Sequence, residues 1–184
     1  MKKILLTSAG FETPRIMSVF LELLMVPVER AKALFIPTAA QDVDAIAVLP
    51  ECVNDLLRAG ISKENITVFD LHDTMADEEL QKFDVVYFAG GNARYLLQRI
   101  NGTGFNQPLA RFIGQGGIYV GVSAGSIVAA NNLPDNLEYF DRTLHVHAPE
   151  GTACGVLDIS SDEPVYLTNE SAVLISDDKR EIIG

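Results

Sequence analysis

Short apolar runs rich in Val, Ile, Leu and Phe recur along this chain between amphipathic stretches, and within each run the apolar residues are continuous rather than alternating. Strands of that kind have both faces covered, which is the condition of a parallel sheet sandwiched between helices. The expected strands are residues 3–7, 33–36, 65–70, 84–88 and 118–122. The expected helices are 14–25, 43–59, 77–82, 93–99 and 107–114. Thr13 before Pro14 reads as a cap followed by a first-turn proline, Asp77-Glu78-Glu79 puts negative charge at a helix start, and Gly60 reads as a helix stop. The expectation is an α/β fold: three layers, α/β/α, around a mostly parallel, doubly wound sheet. With 184 residues, 48% of them hydrophobic, one domain over 1–184 is the economical reading.

After Val128 the pattern changes. Pro134, Asn136, Pro149, Gly151 and Gly155 punctuate short segments, and residues 164–183 read as a hairpin around Asn169-Glu170-Ser171 with a further turn at Asp177-Asp178. In a doubly wound sheet, residues just after each parallel strand share one edge. That edge collects Ser8-Ala9-Gly10-Phe11, Pro37-Thr38-Ala39, His72, Gly90-Gly91-Asn92 and Ser123. For Ser8 and Thr38 a tight turn is as good an explanation as contact with a ligand.

Gly121-Val122-Ser123-Ala124-Gly125-Ser126 sets a serine between two glycines, after one apolar run and before another. This is the pattern of a nucleophile elbow, in which neighbours without side chains leave the hydroxyl clear and the next amides face a developing oxyanion. A serine nucleophile needs a base, and the chain has three histidines. His145 and His147 lie in Thr143-Leu144-His145-Val146-His147, where a strand projects both imidazoles to one face. The same pair, with Asp141 and Glu150 near, matches no strong metal signature, and no metal or organic cofactor is expected. A second oxyanion donor is expected from Gly90-Gly91-Asn92; the competing reading is a plain turn with Asn92 as helix cap.

A net charge of −11 without any lysine or arginine cluster argues against a nucleic-acid partner. The apolar run after Met1-Lys2-Lys3 is too short for a signal peptide, and no stretch is long enough to span a bilayer. Cys52 and Cys154 stand alone, with no C-x-x-C spacing, which fits a reducing cytoplasm.

Together these residues resemble the peptidase E, or α-aspartyl dipeptidase, family of serine peptidases, relatives of the cyanophycinases. The resemblance runs through Leu5-Leu6-Thr7-Ser8-Ala9-Gly10-Phe11, Phe35-Ile36-Pro37-Thr38-Ala39, Phe88-Ala89-Gly90-Gly91-Asn92 and the Gly121–Ser126 elbow. It implies a class I glutamine amidotransferase-like (flavodoxin-like) fold, Ser123 as nucleophile, and Gly91 and Ala124 as oxyanion donors. Aligning Leu137, Tyr139-Phe140 and Leu144 with the family's apolar segment puts His147, rather than His145, at the histidine position.

Two departures follow Ser123. The segment to the histidine is shorter than in the dipeptidases and lacks the piece carrying their aspartate, so the third catalytic member has no counterpart. Asp135 ranks first among Asp135, Glu138, Asp141 and Glu150, and a serine–histidine dyad is the alternative. Where the dipeptidases carry a Lys-Gly-Glu-Thr-Arg type stretch, this chain has Ala148-Pro149-Glu150-Gly151-Thr152-Ala153-Cys154-Gly155. Alanine and cysteine cannot replace charge-assisted carboxylate binding, so strict aspartyl specificity is not expected. Arg142, Arg94 and Arg15 are the cations that would have to substitute, Glu150 is a candidate partner for a peptide ammonium, and Gly90 and Asn92 are further expected substrate contacts. The expected function is a serine-type peptidase acting on a dipeptide or other small amide. The alternatives are a catalytically weakened member that binds a small molecule, or a hydrolase of an ester, isoaspartyl or cyanophycin-like linkage.

Overall fold

The computed structural model describes residues 2–184. In chain order the elements are β1 (Lys3–Thr7), α1 (Pro14–Leu23), β2 (Ala33–Ile36), α2 (Val43–Ala47), α3 (Leu49–Ala59), β3 (Ile66–Val68), α4 (Asp77–Leu80), β4 (Val85–Phe88), α5 (Ala93–Gly102), α6 (Asn106–Gly114), β5 (Ile118–Val122) and α7 (Ala124–Ala129). Short strands follow: β6 (Leu144–His145), β7 (Gly155–Val156), β8 (Val165–Tyr166), β9 (Ala172–Ser176) and β10 (Lys179–Ile183). Among the described residues the main sheet has eight strands in the order β3-β2-β4-β5-β1-β9-β10-β7, with β6 and β8 forming a separate pair. The β3-to-β1 portion is parallel, and β9, β10 and β7 add an antiparallel flank.

Successive side chains of β1 alternate between two cores. Ile4 and Leu6 enter one with Phe88, Leu96, Leu109 and Val128, while Leu5 enters the other with Ile16, Phe20, Phe35 and Leu56. A strand packed on both faces must be apolar throughout, which is why its sequence is a run and not an alternation. Helices α1 and α3 cover one face, and α5, α6 and α7 the other, giving the expected three-layer α/β/α arrangement. The chain leaves β1 toward one face and its neighbour β5 toward the other, so a crevice opens between them at the carboxyl edge.

Local signals set most boundaries. Thr13 accepts from the Ile16 amide at 3.2 Å, and Gly60 closes α3 at φ 105°. The stretch 43–59, expected as one helix, divides at Val48: Pro50 has no amide to donate into a continuing helix, so α3 starts afresh with the proline in its first turn, where no such donor is needed. Residues 164–183 also differ from expectation. Asp177-Asp178 does turn β9 into β10, but β8 does not pair with β9 across Asn169–Ser171; it lies parallel to β6 instead. The pairing partner was decided by β9 docking beside β1 in the main sheet.

The elbow is packed against the neighbouring strand. A β-carbon on Gly125 would lie 2.7 Å from both the Cβ and the carbonyl oxygen of Phe88. Gly125→Ala is expected to lower stability by about 1–3 kcal/mol, the usual cost of overpacking a tight core, read as a fall in the urea midpoint at unchanged slope.

Candidate active site

Ser123 follows β5 and precedes α7 with φ 48° and ψ −100°, torsions that a residue with a β-carbon rarely adopts. Such a conformation costs on the order of 1–3 kcal/mol and survives only where its surroundings over-determine it. Here the Ser123 amide donates to the Thr7 carbonyl at 2.9 Å, and the Ser126 hydroxyl, 2.8 Å from each, shares its one proton between the carbonyls of Thr7 and Gly121. Tyr119 lies fully buried beneath and donates its hydroxyl to the Gly125 carbonyl.

His147 stands over the serine, with Nε2 3.1 Å from Ser123 Oγ. Its Nδ1 lies 2.7 Å from Asn169 Oδ1. An amide oxygen only accepts, so Nδ1 carries the proton and Nε2 presents its lone pair to the serine hydroxyl. The expected strand through His145 and His147 stops at His145, and His147 has φ 56°. That turn separates the two imidazoles: His145 stacks on Tyr166, with ring centroids 4.6 Å apart, while His147 faces Ser123. His72 lies elsewhere, beside Tyr95 and Asp70.

Asp135, the expected third member, is not beside His147. It sits in the loop after α7 at φ 57°, with its backbone carbonyl accepting from Asn101. Asp141 pairs with Arg180 at 3.1 Å, and Glu150 lines a separate depression with Pro149 and Tyr166. The residue in the third place is Asn169, from the loop between β8 and β9, held by bonds among Thr168, Glu170 and Ser171. No spacing in the sequence marks it, because its approach depends on β8 running beside β6.

Gly91 adopts φ 133°, and a β-carbon there would collide with the Ala39 carbonyl oxygen, so only glycine lets this loop pass. Gly90 abuts the serine: a β-carbon on it would stand 3.4 Å from Ser123 Cβ. Asn92 is the helix cap of the plainer reading, its side chain accepting from the Tyr95 amide at 3.0 Å. Ala124 begins α7, where a first-turn amide has no partner within the helix.

The cleft over Ser123 has a volume of about 680 Å³ and runs from His147 and Asn169 past Gly90 to the face of α3 bearing Glu51, Cys52, Asp55 and Arg58. Arg142, Arg94 and Arg15 do not line it. Arg142 is buried and donates to the Asp158 carbonyl, Arg94 borders a shallow groove with Asp135, and Arg15 pairs with Glu22. The basic side chain in the cleft is Arg58, which donates to Asp55 at 3.1 Å and to the Phe11 carbonyl at 3.0 Å. Asp55, only 5% exposed, also accepts from the Phe11 amide at 3.0 Å and the Tyr87 hydroxyl at 2.8 Å. Burial raises its pKa against the opposing effect of these donors. The neighbouring Cys52 thiol is pushed up to about 11 by burial and by the Asp55 charge.

Comparison with known proteins accords with this geometry. The chain matches the sequence profile of peptidase family S51 over residues 4–158 and belongs to that family. It is 30% identical over 107 residues to an uncharacterized peptidase of Pasteurella multocida, covering 58% of this chain and 51% of that protein. A similar match, 30% over 100 residues, links it to an uncharacterized peptidase of Listeria monocytogenes, covering 54% and 48%. The matched stretches thus span about half the length of these curated relatives. In fold it is similar to a putative peptidase E protein from Listeria monocytogenes, at TM-score 0.75 and 20% identity over 100% of this chain and 98% of the other. It is also similar to a peptidase from an acI-B1 actinobacterium, at TM-score 0.66 and 17% identity over 100% and 88%.

The two free cysteines differ in reactivity. At pH 7.5 iodoacetamide is expected to alkylate exposed Cys154 in the native protein and to spare Cys52, whose thiol stays protonated and buried; mass spectrometry of native and urea-treated samples checks this, the urea sample taking two labels.

Proposed function

We propose that this chain is a serine-type peptidase hydrolysing dipeptides or other small amides. The observation that carries the reading is the 3.1 Å approach of His147 Nε2 to Ser123 Oγ at a strained elbow that opens on the cleft. Ser123 Oγ attacks the substrate carbonyl while His147 Nε2 takes its proton. The imidazolium returns that proton to the leaving amine, and water then hydrolyses the acyl-enzyme with His147 again as base. The Gly91 and Ala124 amides are the proposed oxyanion donors, with Gly90 forming the adjoining wall. The chemistry draws on side chains and backbone alone. The two free thiols suit work in the reducing cytoplasm.

Asn169 orients His147 without lending it a charge. A neutral amide fixes the tautomer, but it stabilises the imidazolium less than a carboxylate does. That one feature favours the second reading, a weakened member that binds a small molecule. Aspartyl selectivity has little support, because the charge of Arg58 is paired with Asp55, while Glu12 and Glu51 add negative charge to the same cleft.

Hydrolysis of a dipeptide library, followed by mass spectrometry, tests the proposal. Turnover is expected without preference for amino-terminal aspartate, abolished in Ser123→Ala and reduced by about 10²–10⁴-fold in His147→Ala. Folded wild type that turns over nothing, yet gains thermal stability from a ligand, decides for the binder.

The Asn169→Asp variant tests the orienting role. A carboxylate at that position stabilises the imidazolium formed in the transition state, so kcat is expected to rise several-fold at pH 8, while Asn169→Ala, which removes the partner of Nδ1, is expected to lower it by about tenfold or more. A kcat unchanged in both variants removes Asn169 from the mechanism.

A further inference from the structure

We infer that Ser8 is a positioning residue, whose hydroxyl sets the base His147 over the nucleophile. The inference rests on the Ser123–His147 reading and concerns how that geometry is held. Ser8 is fully buried immediately after β1, at the edge where a small residue would ordinarily serve only to turn the chain. Its Oγ accepts from the His147 backbone amide at 3.1 Å and donates to the Leu167 carbonyl at 3.1 Å. The hydroxyl thus accepts from one and donates to the other of the two loops that carry the base and its orienting amide, since Leu167 lies two positions before Asn169.

The preceding residue fixes the nucleophile. The Thr7 carbonyl accepts from the Ser123 amide, and the Thr7 hydroxyl donates to Gly121 while accepting from Gly10. Ser123 and His147 are therefore indexed from two consecutive residues of one strand end. His147 needs such a hold. It lies in a segment with little regular structure, at φ 56°, with an exposed side chain. The Ala148 amide bonded to the Leu167 carbonyl at 2.9 Å is its neighbouring tie, and that carbonyl is the one Ser8 also engages. Without the hydroxyl, the His147 amide loses its acceptor and the imidazole loses the fixed origin from which it reaches Ser123. A displacement of about 1 Å at a reacting group costs up to about 10²-fold in rate.

The test is the rate at which a fluorophosphonate phosphonylates Ser123, measured on protein shown folded by near-ultraviolet circular dichroism. Ser8→Ala is expected to slow labelling by roughly tenfold or more in the wild-type background. In the His147→Ala background it is expected to change the residual rate little, because a residue acting through His147 has nothing left to position. An equal slowing in both backgrounds makes Ser8 merely structural and overturns the inference, as does no slowing in the first. If Ser8→Ala does not fold, Ser8→Cys, with its weaker hydrogen bonding, is expected to label at an intermediate rate, and a wild-type rate overturns the inference. Wild type that shows no Ser123-dependent labelling overturns the hydrolase reading itself, and the inference with it.

Discussion

The Thr7 carbonyl at the end of β1 is the point on which the candidate site depends. It receives the Ser123 amide at 2.9 Å and the Ser126 hydroxyl at 2.8 Å, so β1 grips both sides of the elbow that follows its parallel neighbour β5. A parallel strand pair normally ends where its ladder ends. Here the ladder is extended by one backbone bond and one side-chain bond into the turn, which holds Ser123 in torsions it would leave if free. The strain, about 1–3 kcal/mol for such a residue, is offset locally by buried hydrogen bonds that net about 0.5–1.5 kcal/mol each.

A second polar network lies under the opposite wall of the cleft. Asp55 gathers the Phe11 amide, the Tyr87 hydroxyl and the Arg58 guanidinium, tying α3 and β4 to the loop that leaves β1. Buried carboxylates are tolerated when their oxygens are occupied, and this one is. Arg58 spends only Nη2 on these bonds and its half-exposed side chain still lines the cleft, but its charge faces that of Asp55, so one set of bonds both stiffens the cleft and shapes its charge.

The chain turns sharply at Ser123, as the elbow pattern predicts, while for the third member the dipeptidase resemblance offers no counterpart. Asn169, from a different part of the chain, is the residue that meets His147 Nδ1. Loop correspondence points to Asp135, but the backbone carbonyl of that residue accepts from Asn101 on α5.

The sequence by itself determined the central parallel strands, whose unbroken apolar runs suit a sheet covered on both faces, and the elbow, whose glycines are required by contacts within a few residues or with the adjacent strand. It also determined the local caps, Thr13 and Asn92, because a cap is a bond between residues three apart. Tertiary structure alone decided what stands around Ser123. His147 turns away from His145 because its backbone bonds to Ser8, 139 positions earlier, and Asn169 arrives because β8 pairs with β6 once β9 is taken up by β1. Periodicity and spacing report the interactions of neighbours along the chain; which distant loop meets which is fixed by strand pairing and by the buried hydrogen bonds that the assembled sheet must satisfy.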